Sequence, residues 1–123
     1  MTGLQGIAAL VVLAGALFGM STIGMASGED AEEAPAVFTE AYLNDSANIE
    51  AGKAIWQEQC RLCHGYAAYP GKAPKLKPRR YKPGFVFKRV TNGFRKMPSW
   101  KEVYSREERM AVVTYVLSKE FSP

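Results

Sequence analysis

The chain has 123 residues, a formal net charge of +4, two cysteines and one histidine. This length leaves room for one small domain with appendages and excludes a large α/β enzyme. The single histidine excludes metal sites built from several histidines, and two cysteines exclude a disulfide-rich scaffold and a four-cysteine zinc site. A core of this size is marginal unless a metal, a disulfide or a cofactor supports it.

The net charge hides a strong asymmetry along the chain. Residues 29–50 contain seven acidic residues and no basic one, which gives −7. Residues 51–123 contain all 16 basic residues against five acidic ones, which gives +11. No acidic residue lies between Glu58 and Glu102. This asymmetry is typical of an acidic tether joined to a basic folded module.

The first predicted element is a hydrophobic helix within residues 1–28, which contain no charged side chain. Residues 6–26 are mostly apolar and long enough to span a bilayer as a helix. Ala26-Ser27-Gly28 is typical of a signal-peptidase site. Residues 1–28 are therefore predicted to be a transmembrane anchor or a signal peptide. Both interpretations place the remainder of the chain outside the cytoplasm.

Residues 29–47 follow as a predicted acidic linker, since they are rich in carboxylates and lack periodic apolar spacing. Four of their side chains are able to lie against the domain or a partner: Val37, Phe38, Tyr42 and Leu43.

Residues 48–123 are predicted to form the functional domain, and its fold class is predicted to be all-α. Residues 49–60 have helical character, whereas prolines and glycines predict an irregular loop over residues 65–83. A short helix is expected over residues 85–92, closed by Gly93. Ser105 and Glu108 form a capping-box pattern that opens a last helix running to about Lys119.

The chemistry of the domain is indicated by Cys60-Arg61-Leu62-Cys63-His64, a C-x-x-C-H motif. This motif is the signature of c-type haem attachment, in which both thiols bond to the haem vinyl groups and the histidine binds the iron. A thioredoxin-like redox pair needs a β-strand before the motif, and the sequence shows no strand pattern there. A zinc site needs four ligands, and the motif supplies only Cys60, Cys63 and His64. A disulfide between the two cysteines remains possible before haem is added. The pattern favours one covalently bound haem c.

A second axial ligand is predicted at Met97. No second histidine exists, and a methionine thioether is the remaining soft donor. Met97 lies in an irregular loop after Gly93 and before Pro98, 33 residues beyond His64. Met110 lies in the predicted last helix, where core packing explains it better. The other three methionines fall in the N-terminal segment: Met1, Met20 and Met25.

Residues 48–118 resemble a class I c-type cytochrome, a monohaem cytochrome c. The resemblance rests on Gly52 and Trp56 before the C-x-x-C-H motif, on Gly65 after it, on the loop 92–98 with Met97, and on Tyr115. It implies a small helical domain wrapped around one covalent haem. It also implies that the first and last helices of the domain cross near Gly52.

The resemblance implies further cofactor-binding residues. The carbonyl of Pro74 would accept a hydrogen bond from Nδ1 of His64, and Leu76 would cover the haem. Tyr81 and Trp100 are candidates for contact with a haem propionate. For Pro74 the alternative is an ordinary loop proline, and for Tyr81 and Trp100 it is packing alone.

These ligands predict a one-electron carrier and not an enzyme. With both axial positions filled, no site remains for a substrate, and the thioether raises the reduction potential. The expected role is to pass electrons between respiratory or photosynthetic redox proteins. Two alternatives are a c-type subunit fixed within a larger membrane redox complex and, less favoured, a haem-based sensor with an open iron site.

The basic residues between the two ligands indicate the partners. They would steer an acidic-surfaced redox protein or a membrane redox complex, although a generic solvated face or contact with anionic lipid is also compatible. No nucleic-acid partner is expected. The predicted location is the bacterial cell membrane with the haem domain on the periplasmic side, or the soluble periplasm after signal cleavage. The ten basic residues between His64 and Met97 are Lys72, Lys75, Lys77, Arg79, Arg80, Lys82, Lys88, Arg89, Arg95 and Lys96.

Overall fold

Helices form the regular structure of residues 33–68 and 71–122, the part of the chain that this computed structural model describes. A π-helical turn, Trp56–Cys60, joins α2 to α3, and a 3₁₀ turn, Pro78–Arg80, precedes α4. The described residues contain no strand, which confirms the all-α prediction for them. The helices are α1 (Glu40–Leu43), α2 (Ser46–Ile55), α3 (Arg61–His64), α4 (Pro83–Asn92) and α5 (Arg106–Leu117).

The predicted hydrophobic helix of residues 1–28 lies outside the described residues. Within residues 33–68 and 71–122, no helix has the length and apolar character needed to cross a bilayer.

Local sequence signals set the ends of the helices. The α4 helix begins at Pro83, whose missing N–H costs nothing in the first turn, and it ends before Gly93, which has a φ of 72°. The Ser105 hydroxyl accepts from the backbone N–H of Glu108 at 3.2 Å, and the Glu108 carboxylate accepts from the N–H of Ser105 at 2.7 Å. This reciprocal pair is the predicted capping box, and it starts α5 where the sequence places it.

The core is built where α2 crosses α5. A Cβ atom added at Gly52 would lie 2.0 Å from the carbonyl oxygen of Ala111, so the two helix backbones touch at this point. Around the crossing, the ring centroid of Trp56 lies 4.6 Å from that of Phe121 and 6.2 Å from that of Tyr115. Gly52 therefore permits the close approach that the aromatic rings then surround.

The described part of the acidic segment packs against α4 and α5. The Phe38 ring meets the Phe87 ring of α4 edge-on, with centroids 6.0 Å apart. The Glu33 carboxylate accepts two hydrogen bonds from the guanidinium of Arg109, each 2.8 Å long, and lies 3.1 Å from Arg106. Arg106 also donates to the carbonyl of Ala34 at 2.8 Å. Apolar contact and ion pairing together fix this segment to the domain.

The Glu33 ion pair predicts a pH dependence of stability. The hydrogen bonds from Arg109 are the largest cause that lowers the pKa of Glu33 below its ordinary value of 4.5. A carboxylate with a lowered folded-state pKa stabilises the fold above its unfolded-state pKa, and that contribution is lost as the pH falls through the folded-state pKa. At neutral pH, Glu33→Gln should lower the free energy of unfolding by about 1.5 kcal/mol.

The measurement is denaturant unfolding of the unaltered protein and Glu33→Gln at a series of pH values. The difference in the free energy of unfolding between the two proteins should begin to shrink as the pH falls below 4.5, the ordinary pKa of the carboxyl group. It should vanish once the pH lies below the folded-state pKa of Glu33. A difference that stays constant down to strongly acidic pH would mean that the carboxylate charge has no part in it.

Candidate functional site

The C-x-x-C-H motif begins in the π-helical turn and continues through α3. A π-helical turn accommodates an extra residue in a helix and is frequent at functional sites. Here it leaves the Cys60 side chain half-buried against the hydrophobic core, while Cys63 is exposed. Burial raises the pKa of the Cys60 thiol to about 11. Neither cysteine is in a disulfide.

His64 ends α3 with its imidazole against the core. Its ring centroid lies 5.6 Å from that of Trp56, and the indole N–H of Trp56 donates to the carbonyl of Gly65 at 3.0 Å. Burial lowers the pKa of His64, which favours the neutral imidazole that binds metals. Nδ1 is buried without a hydrogen-bond partner in residues 33–68 and 71–122. The hydrogen bond to Pro74 implied by the resemblance is not formed in this structure.

The loop after the motif lies against the end of α3. The N–H of Ala73 donates to the carbonyl of Cys63 at 2.8 Å, and the N–H of Leu76 donates to the carbonyl of Ala68 at 3.1 Å. A Cβ atom at Gly71 would lie 2.3 Å from the Cys63 carbonyl oxygen. Only glycine allows this approach, so Gly71 positions the backbone of the motif, a role that the sequence analysis missed.

Met97 lies in a tight turn held on the end of α4. Backbone hydrogen bonds of 3.0 Å run in both directions between Phe94 and Met97. The turn is anchored at its far side, because the Ser99 hydroxyl donates to the carbonyl of Thr91 at 2.6 Å and the N–H of Trp100 donates to the carbonyl of Val90 at 3.1 Å. The Met97 side chain is half-buried against the core.

Most of the predicted site residues meet at one hydrophobic cluster. The Tyr81 hydroxyl accepts from the N–H of Lys77 at 2.9 Å, and the Trp100 ring lies 5.7 Å from the Tyr104 ring. By contrast, Pro74 is exposed, as is Cys63. The predicted site residues that pack, partly buried, against the same core cluster are Cys60, Leu76, Tyr81, Met97 and Trp100.

The structure weakens the other interpretations of the motif. A redox-active dithiol needs an accessible cysteine with a lowered pKa, whereas the Cys60 side chain is half-buried against the core and its burial raises the pKa of the thiol. A zinc site needs a group of at least three ligands, and the described residues contain no such cluster of His, Cys, Asp and Glu. The Cys60 thiol and the Met97 thioether on the core, the His64 imidazole against Trp56, and the exposed Cys63 thiol beside it in the motif are the donor set that fits haem c.

Arg109 and its hydrogen-bond partners form a second group that was not predicted from the sequence. Its side chain is 4% exposed and donates to Glu33, to the Thr91 hydroxyl at 2.7 Å, and to the carbonyls of Tyr104 and Ser105. The available signal was helical position: Arg109 precedes the buried Val112 and Val113 by three and four residues, and so stands on the buried face of α5.

The comparison with protein-family models agrees with this site. The model of the family described as cytochrome c oxidase, cbb3-type, subunit III matches residues 47–116, more than half of the chain. This range contains the motif, the Met97 loop and nearly all of α5. No curated protein and no solved structure matches the chain. The chain therefore belongs to the cytochrome c oxidase, cbb3-type, subunit III family, whose c-type cytochrome domain implies covalently bound haem c.

Proposed function

We propose that this protein is a one-electron carrier of the class I monohaem type. One haem c would be held through the thiols of Cys60 and Cys63, and its iron would be bound by His64 and Met97. The observation that carries the proposal is the packing of Cys60 and Met97 on one core cluster, together with the half-buried imidazole of His64 that lies against Trp56 of the same cluster. When bound, the haem supplies a reversible Fe(III)/Fe(II) couple.

The residues of the chain tune and protect this couple. His64 offers a neutral imidazole because burial disfavours its protonated form. Met97 offers a thioether, which favours ferrous iron and raises the reduction potential. Leu76 and Trp100 belong to the partly buried apolar groups on the core, which exclude water. If His64 and Met97 both bind the iron, no position would be left for a substrate, and an enzymatic role is not proposed.

The basic surface between the ligands supports an acidic redox partner. Every basic residue from Lys72 to Lys96 is exposed except Arg89, which is half-buried. The Arg89 guanidinium carbon lies 3.8 Å from the Phe94 ring centroid and 5.1 Å from that of Phe85. These cation–π contacts hold its positive charge beside the Met97 turn. An acidic partner would thus be drawn toward the edge of the domain that carries the sixth ligand.

The charge of this surface predicts opposite salt effects for oxidants of opposite charge. Oxidation of the ferrous protein by hexacyanoferrate(III), an anion, should slow about tenfold between about 0.01 M and 1 M salt, because screening removes the attraction. Oxidation by the cationic tris(phenanthroline)cobalt(III) should instead speed up. Stopped-flow kinetics measure both rates. If the two oxidation rates depend on salt concentration in the same way, steering by a basic surface is contradicted.

The family match favours a second candidate function, that of a subunit fixed in a membrane redox complex. The matching family is named for a subunit of cbb3-type cytochrome c oxidase. In this arrangement, residues 1–28 would tether the domain to the bacterial cell membrane on its periplasmic side. A soluble periplasmic carrier is the alternative if these residues are removed. Co-purification in detergent at fixed stoichiometry with other redox subunits would support the fixed subunit, whereas recovery as a single chain would support the shuttle.

The carrier proposal is tested by carbon monoxide. The purified ferrous protein should undergo a reversible one-electron oxidation and should not bind carbon monoxide on mixing, because Met97 occupies the sixth position. Prompt carbon monoxide binding by the unaltered protein would overturn the carrier assignment and favour a sensor with an open iron site.

A further inference from the structure

Arg109 connects the acidic N-terminal segment to the loop that carries Met97. Its guanidinium donates to both carboxylate oxygens of Glu33 and to the hydroxyl of Thr91. The backbone carbonyl of Thr91 in turn accepts the hydroxyl of Ser99, two residues beyond Met97. Hydrogen bonds on the hydroxyl and on the carbonyl of Thr91 therefore link Glu33 and Arg109 to the Met97 loop through this one residue.

The charges of these hydrogen-bonded residues make the link sensitive to change. Arg109 is 4% exposed, so its positive charge depends on partners within the protein. Glu33 is the carboxylate bonded to it, and Thr91 is itself buried. Glu33 lies far from Met97 in sequence, Thr91 lies six residues before it, and neither is an iron ligand in the proposed function. Without either partner, the buried guanidinium of Arg109 would lack a hydrogen-bond acceptor. It would gain a new acceptor only if the end of α4 or the start of α5 moved.

We propose that Glu33, Arg109 and Thr91 form a clamp that positions the Met97 loop and keeps the thioether on the iron. The proposal rests on the proposed function for the identity of the ligand. In it, Glu33, Arg109 and Thr91 are positioning residues that act through the end of α4 and the turn after it. The acidic segment thereby becomes a part of the redox site.

The first test uses imidazole as a competitor for the sixth position of the ferric holoprotein. Imidazole binds only when the thioether is off the iron, so its apparent affinity reports the fraction of protein with a released Met97. Glu33→Gln should raise this affinity about fivefold and weaken the red sulfur-to-iron charge-transfer band. Thr91→Val should raise the imidazole affinity in the same way. Thr91→Ser, which keeps the hydroxyl, should have the same imidazole affinity as the unaltered protein.

The control variant is Glu120→Gln. It removes the carboxylate of another ion pair, 3.2 Å from Lys53, which joins α2 to the segment after α5. Within residues 33–68 and 71–122, no hydrogen bond joins this pair to Thr91 or Ser99, so imidazole affinity should stay unchanged. If Glu33→Gln and Glu120→Gln leave the affinity equally unaltered, the clamp does not position Met97.

The second test, hydrogen exchange of the holoprotein, separates failure of the clamp from failure of the proposed function. If the unaltered protein lacks the charge-transfer band, Met97 is not the ligand, and the proposed ligand set fails. Exchange still decides the clamp, because the N–H groups of Met97 and Trp100 are hydrogen-bonded in the turn. Faster exchange of these two groups in Glu33→Gln than in Glu120→Gln supports the clamp, and equal exchange overturns it.

Discussion

Gly52→Ala is expected to destabilise the domain by about 3 kcal/mol, because a buried close contact has no room to relax. The added Cβ atom would lie 2.0 Å from the carbonyl oxygen of Ala111 and 2.9 Å from the Cβ of Tyr115. The first of these atoms belongs to the backbone of α5, so the helices themselves must separate. Denaturant unfolding of the holoprotein measures the change.

The matched control is Gly84→Ala. Gly84 lies in the first turn of α4, and a Cβ atom there would meet nothing within 4 Å. The substitution should be neutral or stabilise the protein by up to about 1 kcal/mol, since alanine restricts the unfolded chain more than glycine does. Equal effects of the two substitutions would show that helix propensity, and not the helix crossing, determines the response at Gly52.

Met97→Leu is expected to change the redox chemistry while preserving the fold. Leucine retains the apolar volume that Met97 places on the core, but it removes the sulfur that would bind the iron. The reduction potential should fall by about 0.1 V, within the roughly 0.8 V range over which axial ligands set haem potentials. The ferrous variant should also bind carbon monoxide. Potentiometric titration and absorption spectroscopy measure the two effects.

Met110→Leu provides the comparison for this substitution. Met110 is also half-buried and packed against the core, but it lies on α5 and not in the Met97 turn. Its replacement should leave the potential, the charge-transfer band and the response to carbon monoxide unchanged. If Met110→Leu opens the sixth position and Met97→Leu does not, the ligand assignment must be exchanged between the two methionines.

Local chemistry explains why much of the fold was predictable from the sequence. The capping box at Ser105 and the glycine after α4 fix helix ends through hydrogen bonds and backbone conformation that depend on a few neighbouring residues. The C-x-x-C-H motif is equally local. Met97 was identifiable because Gly93 and Pro98 mark its loop and few other donors exist.

The features that escaped prediction depend on contacts between distant segments. Glu33 and Arg109 are 76 residues apart, and nothing in an acidic stretch indicates which arginine it will pair with. The closeness of Gly71 to Cys63 likewise arises from the path of an irregular loop. Pro74 was placed at His64 by resemblance alone, and in the structure it is exposed. Sequence patterns thus indicated the ligands more readily than the groups that position them.

The proposed function requires one haem bound covalently through Cys60 and Cys63. Intact mass spectrometry of the purified protein under denaturing conditions tests it most directly, because covalently attached haem stays with the chain after unfolding. We expect one species with the mass of the polypeptide plus a single haem. A polypeptide of unmodified mass, or one lighter by two hydrogens through a disulfide between the two cysteines, would contradict it.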